Sequence, residues 1–371
     1  MVELASIGPI PFCGMVLADM GADVVRVDRV ADAHAAAGSD RSGMVLDRGR
    51  RSVALDLKAP GGLDLLLRLV DDADVLIEGY RPGVAERLGF GPDVCLARRP
   101  ALVYGRLTGW GQEGPLAPRA GHDIDYIALA GALGAIGRPG ERPVPPLNVI
   151  GDFGGGGLLL AYGIACALLH SSRSGVGQVV DAAMVDGTAL LLAPLFSAAQ
   201  MGFWQERGTN MLDGGWPHYD TYTCADGRHV AVGALEPQFY AALLAGLGLD
   251  AATLPDRDDP ANRPALRATF AACFATKPRD AWADLFAGVD GCVAPVLELG
   301  EVATHPHNDA RGLIVEVDGV QQPAAAPRLS VTPGAIARRP CVAGQHTDEV
   351  LAAAGLTPSE LASLRAAGAI A

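Results

Sequence analysis

Two short stretches of this chain carry side chains able to move a proton near neutral pH: Gly121-His122-Asp123-Ile124-Asp125-Tyr126 and Gly151-Asp152-Phe153-Gly154-Gly155-Gly156-Gly157. An imidazole and a carboxylate both suit that work, and each stands beside small or turn-forming residues that expose it. The carboxylate precedes four glycines and the apolar run 158–169. That pattern reads as a helix entered near Gly157 with bare backbone N–H groups at its start, a place that stabilises negative charge. Two bases beside an anion hole point to chemistry at a carbon next to a carbonyl, where a proton leaves and an enolate is held.

Positioning these groups requires a scaffold, and the N-terminal part supplies the pattern of one. Val24-Val25-Arg26-Val27, Val75-Leu76-Ile77 and Leu102-Val103-Tyr104 read as strands, and Gly61 to Val70 as a helix opened by Pro60. Met1 to Leu4 reads as the middle of a first strand, so the native start is expected upstream of Met1. A turn at Gly8-Pro9 and a helix through Met15 to Met20 follow. This βαβ rhythm predicts an α/β fold, a Rossmann-like large domain built on a parallel sheet. The first strand-to-helix turn, Ser6-Ile7-Gly8-Pro9-Ile10-Pro11, lacks G-x-G-x-x-G and argues against an ordinary NAD site.

Near Gln205 to Gly215 the composition turns polar and glycine-containing, which reads as a linker. Beyond it Tyr222-Thr223-Cys224 and His229-Val230-Ala231-Val232 flank Asp226-Gly227 as a hairpin. With helices over 237–247 and 280–286 they predict a smaller α+β domain. The expected division is 1–186 large domain, 187–214 linker helix and loop, 215–300 small domain, and 301–371 a return that completes the large domain. In the last part Thr347 is expected to cap a helix, and Thr357-Pro358-Ser359-Glu360 reads as a capping box.

The 371 residues, half of them hydrophobic, suffice for a sizeable core, and the reading is of a soluble globular protein. The apolar stretches 158–169 and 189–196 fall short of a membrane span, and no leader pattern opens the chain. A cytoplasmic location without a membrane partner is expected. A formal charge of −13 argues against nucleic acid as partner. It also makes local cations worth marking, chiefly Arg48, Arg50 and Arg51, then Lys58, Arg81 and Arg87. The seven cysteines show no CxxC spacing and read as small buried thiols.

Gly21-Ala22-Asp23-Val24-Val25, Glu78-Gly79-Tyr80-Arg81-Pro82-Gly83-Val84, Thr108-Gly109-Trp110-Gly111, Gly177-Gln178-Val179-Val180-Asp181 and Gln345-His346-Thr347-Asp348-Glu349-Val350-Leu351 together resemble the family III CoA-transferases nearly end to end. Gly121-His122-Asp123, Pro145-Pro146-Leu147-Asn148 and Gly233-Ala234-Leu235-Glu236-Pro237 resemble the racemase branch of that family, marked by the histidine. The resemblance implies that His122 and Asp152 are the catalytic bases of a racemase or epimerase of 2-methylacyl-CoA thioesters, one base per face of the α-carbon. It implies that Glu236 orients His122, and that two chains interlock in a homodimer so that Glu236 comes from the other chain.

For the CoA moiety of the substrate the resemblance implies Arg29 and Arg87 near phosphates. It places Leu55, Asp56, Leu57 and Lys58, with Gly79, Tyr80 and Arg81, around the adenine and diphosphate, and Gly121, Asp123, Ile124, Asp125 and Tyr126 along the pantetheine. No metal or added cofactor is implied. An α-proton of a thioester is too weakly acidic for these bases alone, so several kcal/mol of enolate stabilisation is required; the N–H groups after Asp152 are expected to supply it. The rival readings are CoA transfer with Asp152 as nucleophile and a non-catalytic acyl-CoA-binding homologue. Met184, Met201 and Met211 suit either an acyl pocket or core packing. The other histidines, among them His218 and His346, read as satisfied structural residues.

Overall fold

The computed structural model describes residues 1–36 and 43–371. The chain divides into two compact units, one of residues 1–132, 146–192 and 306–371, the other of 133–145 and 193–305. The return of 133–145 to the second unit is a crossing that the sequence pattern did not announce.

In the first unit β1 (Val2–Leu4), β2 (Val24–Asp28), β3 (Arg50–Ala54), β4 (Val75–Glu78), β5 (Val103–Thr108) and β6 (Gln178–Ala183) form one sheet in the order β3-β2-β1-β4-β5-β6. Every pairing is parallel. Strands covered on both faces are rich in apolar residues, and the alternation along β4 shows where each side chain goes. Leu76 joins Leu4, Leu66, Tyr104 and Leu351 on one face; Val75 and Ile77 join Ile10, Val103, Leu160 and Ile164 on the other. The helices Gly62–Asp71 and Thr347–Ala353 cover the first face, while Pro9–Asp19 and Leu159–Ser174 cover the second.

Several elements depart from the sequence reading. The helix expected from Met15 begins six residues earlier, because Pro9 and Pro11 in its first turn tolerate positions whose N–H groups lack intrahelical partners. Arg48 and Arg50, marked as candidate ligand-binding cations, are buried: Arg48 pairs with Asp19 at 2.6 Å and Arg50 with Glu3 at 2.8 Å. Charge in the sequence concealed β3. Thr347 is the first residue of its helix rather than the cap; His346 holds the cap position, and the Thr347 hydroxyl accepts from the Ala54 N–H at 3.1 Å. The Thr357 capping box forms, its N–H donating to Glu360 Oε2 at 2.7 Å.

One continuous helical run, Val149–Ser174, has 26 residues and holds an 18-residue stretch of mean hydropathy 1.5, long and apolar enough by itself to cross a membrane. It is longer than the 158–169 run because the glycines before it are also helical. Its Leu160, Ala161, Ile164 and Ala167 are buried against the sheet.

The second unit has an antiparallel sheet of β7 (Tyr219–Thr223), β8 (His229–Gly233) and β9 (Val293–Pro295). Phe270, Phe274, Trp282 and Phe286 fill its core with Leu243. The segment read as a linker belongs to this unit and is tied by Asp213, which accepts from the Gly208 N–H at 2.6 Å and Asn210 Nδ2 at 2.7 Å. In the first unit β10 (Ile314–Val317) and β11 (Val320–Pro323) make a separate antiparallel pair whose buried Gln322 accepts from Arg48 at 2.9 Å.

Candidate active site

The sheet order reverses between β1 and β4, and ligands of open parallel sheets bind beyond the carboxyl ends of the strands at such a switch point. Here a cavity of about 600 Å³ lies beyond the ends of β1, β4 and β5. Ser6–Ile10, Gly79–Pro82 and Leu107–Trp110 line it together with His122, Tyr126, Asn148, Asp152 and Met184. The glycine at 79 follows from the closeness of its neighbours: a Cβ there would stand 2.8 Å from Ile10 Cγ1.

His122 is exposed, in extended backbone at φ −130, and precedes the Asp123–Leu129 helix. Its N–H donates to Asp125 Oδ2 at 2.9 Å. Asp125 therefore fastens the chain entering this helix and is not among the residues lining the cavity. Asp123 is buried, with Oδ1 accepting from the Asp152 N–H at 2.8 Å. Ile124 is exposed outside the cavity lining. Of the stretch expected along the pantetheine, Gly121 and Tyr126 face the cavity and Asp123, Ile124 and Asp125 do not, since helical geometry turns successive side chains about 100° apart. The Tyr126 ring meets Trp110 edge-on with centroids 4.8 Å apart. Gly109 leaves room for it, since a Cβ there would fall 2.0 Å from the ring. Burial raises the Tyr126 phenol pKa, so the hydroxyl stays a donor.

Asp152 is half-buried, and its Oδ2 accepts from Asn148 Nδ2 at 3.0 Å. The residue before that asparagine, Leu147, has φ +62, a left-handed backbone that costs energy for a branched side chain. Asn148 was quoted from the sequence only as part of a motif; its role needed the turn to be seen.

The glycine run departs most from expectation. Val149–Leu158 is π-helical and continuous with the following helix, so Asp152 lies in its first turn and the glycines lie inside it. N–H groups within such a run bond to carbonyls five residues back and do not form a bare helix start. The Asp152 N–H itself is taken by Asp123. The glycines serve close packing instead. A Cβ on Gly155 would stand 2.7 Å from the Thr188 nitrogen, one on Gly157 2.7 Å from the Pro9 carbonyl oxygen, and one on Gly151 2.4 Å from Asp123 Oδ1.

Arg81 and Arg119 are the cations of the lining, and both are exposed. Arg119, Trp110 and Asn148 are lining residues that the sequence reading did not assign. Trp110 and Asn148 stand in the Thr108-Gly109-Trp110-Gly111 and Pro145-Pro146-Leu147-Asn148 motifs, which were the sequence signal for them. Arg29 lines a second cavity of about 600 Å³ that shares Ser6 and Ile7 with the first and carries Arg26, Asp28 and Asp47. Arg87 is exposed outside both linings. Leu55 is a core residue bridged to Ile370, and Asp56, Leu57 and Lys58 follow it outside both linings; the Asp56 side chain accepts from the Lys58 N–H at 2.9 Å.

Met184 is buried and lines the first cavity, while Met201 and Met211 are exposed on the second unit. Glu236, also on the second unit, is exposed at the N-cap of Pro237–Leu247, and its side chain bonds none of that helix's N–H groups. Among the described residues no group of three or more His, Cys, Asp or Glu is arranged to hold a metal ion.

Comparison with known proteins places this arrangement. The family model described as CoA-transferase family III matches residues 1–347. The chain is 49% identical over 368 residues to the alpha-methylacyl-CoA racemase of Mus musculus, covering 98% of this chain and 94% of that one. To the Homo sapiens protein of the same name it is 46% identical over 368 residues, with the same coverage. Among solved structures, a CAIB/BAIF family protein from Brucella suis superposes with a TM-score of 0.82 at 26% identity, over 95% of this chain and 97% of that one.

Proposed function

The chain belongs to CoA-transferase family III, and from that premise we propose that it is a racemase or epimerase of 2-methylacyl-CoA thioesters. The observation that carries the reading is that His122 and Asp152 line one cavity at the switch point of the parallel sheet. The near-full-length identity to racemases supports the choice of reaction.

One base takes the proton from the α-carbon; the C–H pair passes into the enolate, and the other base returns a proton to the opposite face. A single base returns it to the side it came from, so inversion requires both. Tyr126 and the backbone around Gly121, both neutral parts of the cavity wall, are proposed to meet the thioester. Arg81, and Arg29 in the adjoining cavity, are proposed to meet the phosphates of CoA, for which planar guanidinium groups are suited. The bases need no redox group or metal for this proton transfer.

We further propose a homodimer in which Glu236 of one copy orients His122 of the other. Support comes from the free carboxylate of Glu236 and from the apolar side chains that the first unit leaves exposed, Leu158, Tyr162 and Leu169 on one helix and Val176 and Val179 beside it. A place in lipid metabolism follows from the substrate class.

The test is incubation in D2O with one enantiomer of a 2-methylacyl-CoA, with and without a carboxylic acid acceptor. Deuterium at the α-carbon with inversion and no new thioester is expected. A new thioester formed only with acceptor would assign Asp152 the nucleophile's part and overturn the reading.

A further inference from the structure

Asp123 stands out once the cavity is defined, because it is an acidic residue beside one base that is turned away from the cavity and toward the other. It directly follows His122 in the chain, and its side chain is buried. Oδ1 accepts the Asp152 N–H at 2.8 Å. The fit continues one residue back: at Gly151 a Cβ would fall 2.4 Å from the same oxygen and 3.1 Å from Ile127 Cγ2, so only glycine lets the π-helix start this close to the Asp123–Leu129 helix. Burial raises the Asp123 pKa, with the N–H groups of Asp152 and Gly151 drawing it back, so the contact is satisfied chiefly by backbone donors.

We infer that Asp123 is a positioning residue for the proposed reaction: fixed by the backbone to His122 and by its carboxylate to the Asp152 main chain, it sets the place of each base relative to the other. This rests on reading His122 and Asp152 as the two bases. Asn148 fixes only the Asp152 carboxylate; Asp123 fixes the peptide from which that carboxylate grows. A misplacement of about 1 Å at such a distance from the chemistry costs about a hundredfold in rate. The loss falls on the base that moves. His122 keeps its own cap through Asp125, so proton removal at its face survives while transfer at the Asp152 face fails.

The experiment uses the full chain with Asp123→Ala and Asp123→Asn, each enantiomer of a 2-methylacyl-CoA, and D2O. In washout at the His122 face, the C–H bond at the substrate's α-carbon breaks, an imidazole N–H forms and exchanges with solvent, and deuterium returns to the same face of the enolate. For Asp123→Ala we expect the kcat of inversion to fall about a hundredfold with KM within about twofold. Washout with retention from one enantiomer should persist. Asp123→Asn, whose amide oxygen can accept the same N–H, should recover to within about tenfold of the parent.

Amide hydrogen exchange over 149–158 should quicken in Asp123→Ala and stay near parental in Asp123→Asn. Inversion at the parental rate in Asp123→Ala overturns the inference, and so does washout from both enantiomers falling in step with inversion. Asp123→Asn as poor as Asp123→Ala overturns it as well. A parent protein that neither inverts nor washes out would sink the racemase reading alone, and the amide exchange would still decide whether Asp123 holds the segment.

Discussion

The two units differ in how their buried groups answer acid. In the first, Glu3, Glu78, Asp123 and Asp181 all have pKa values raised by burial. A carboxyl that binds its proton more tightly when folded loses no fold stability on acidification. The exceptions there are Glu86 and Glu360, surface carboxyls with lowered values, and His346, whose value burial lowers. In the second unit burial pushes His218 down to about 4, and its bond from Arg279 holds Glu301 down to about 2. Both groups bind protons more tightly when unfolded, so acid withdraws stability from this unit. The comparison separates the half that holds the proposed bases from the half that limits survival at low pH.

The largest expected effect tests whether chemistry and acid response are separable. His122→Ala and Asp152→Ala should each lower the kcat of inversion by about 10²–10⁴-fold, the usual contribution of a positioned acid or base. Neither should move the acid midpoint of the second unit, followed by the fluorescence of Trp204, Trp216 and Trp282. Either variant inverting substrate at the parental rate would remove that residue from the pair.

Next in size is the packing behind Asp152. Gly155→Ala drives a Cβ to 2.7 Å from the Thr188 nitrogen, backbone that has little room to yield. A loss of about 1–3 kcal/mol in denaturant unfolding of the first unit is expected, as for other overpacked sites. Gly134→Ala, where nothing lies within 4 Å of the added carbon, supplies the contrast in the second unit and should be neutral. Equal effects of the two would show that the π-helix can give way.

How far the sequence foretold this follows from how local each determinant is. The Val24–Asp28 and Val75–Glu78 strands and the Thr357 cap are written in short-range pattern and were legible. That His122 and Asp152 line one cavity fits the place the family likeness, rather than spacing, gave them. The strand at Arg50 was hidden because its charges are cancelled by Glu3 and Asp23, partners 47 and 28 residues distant from Arg50 and Arg51. The glycine run was misread for the same reason. A row of glycines before an apolar helix suggests bare N–H groups locally, and only the approach of 184–191 and 9–19 shows that it makes room for neighbouring backbone. Asp123 looked like part of a substrate wall until the fold turned it inward.

His218 gives the third prediction. It is fully buried, with rings of Trp216 and Tyr240 each 5.3 Å away and neither ring nitrogen hydrogen-bonded. Arg257 and Arg263 oppose its protonation and Asp258 favours it. The unfolded chain takes up the proton near 6.5 and the folded one only near 4, so stability falls as pH drops through that window. The loss is on the order of 3 kcal/mol. His218→Phe keeps the aromatic stack and should flatten the second unit's stability between those pH values without changing kcat at neutral pH. A wild-type acid limb preserved in this variant would return the two units to equal footing.

The smallest effect is at Glu301, where the sign is the same and the window lower. Its two oxygens accept from Arg279 Nη1 and Nη2 at 2.7 Å each, and Oε2 also accepts from the Glu298 N–H at 2.9 Å. A depressed carboxyl contributes stability that is complete above its ordinary 4.5 and lost as pH falls toward about 2. Glu301→Gln keeps the shape and removes the charge. At neutral pH it should therefore unfold at slightly lower denaturant than the parent, and the gap should close between pH 4.5 and about 2. Salt screens ion pairs that solvent reaches, and Glu301 is part-exposed, so the neutral-pH gap should also shrink at high ionic strength. Above pH 4.5 His218→Phe draws ahead of the parent on acidification while the Glu301→Gln gap holds constant, which distinguishes the two contributions to the second unit's sensitivity. A gap at Glu301 that ignores pH would leave His218 alone responsible for the contrast.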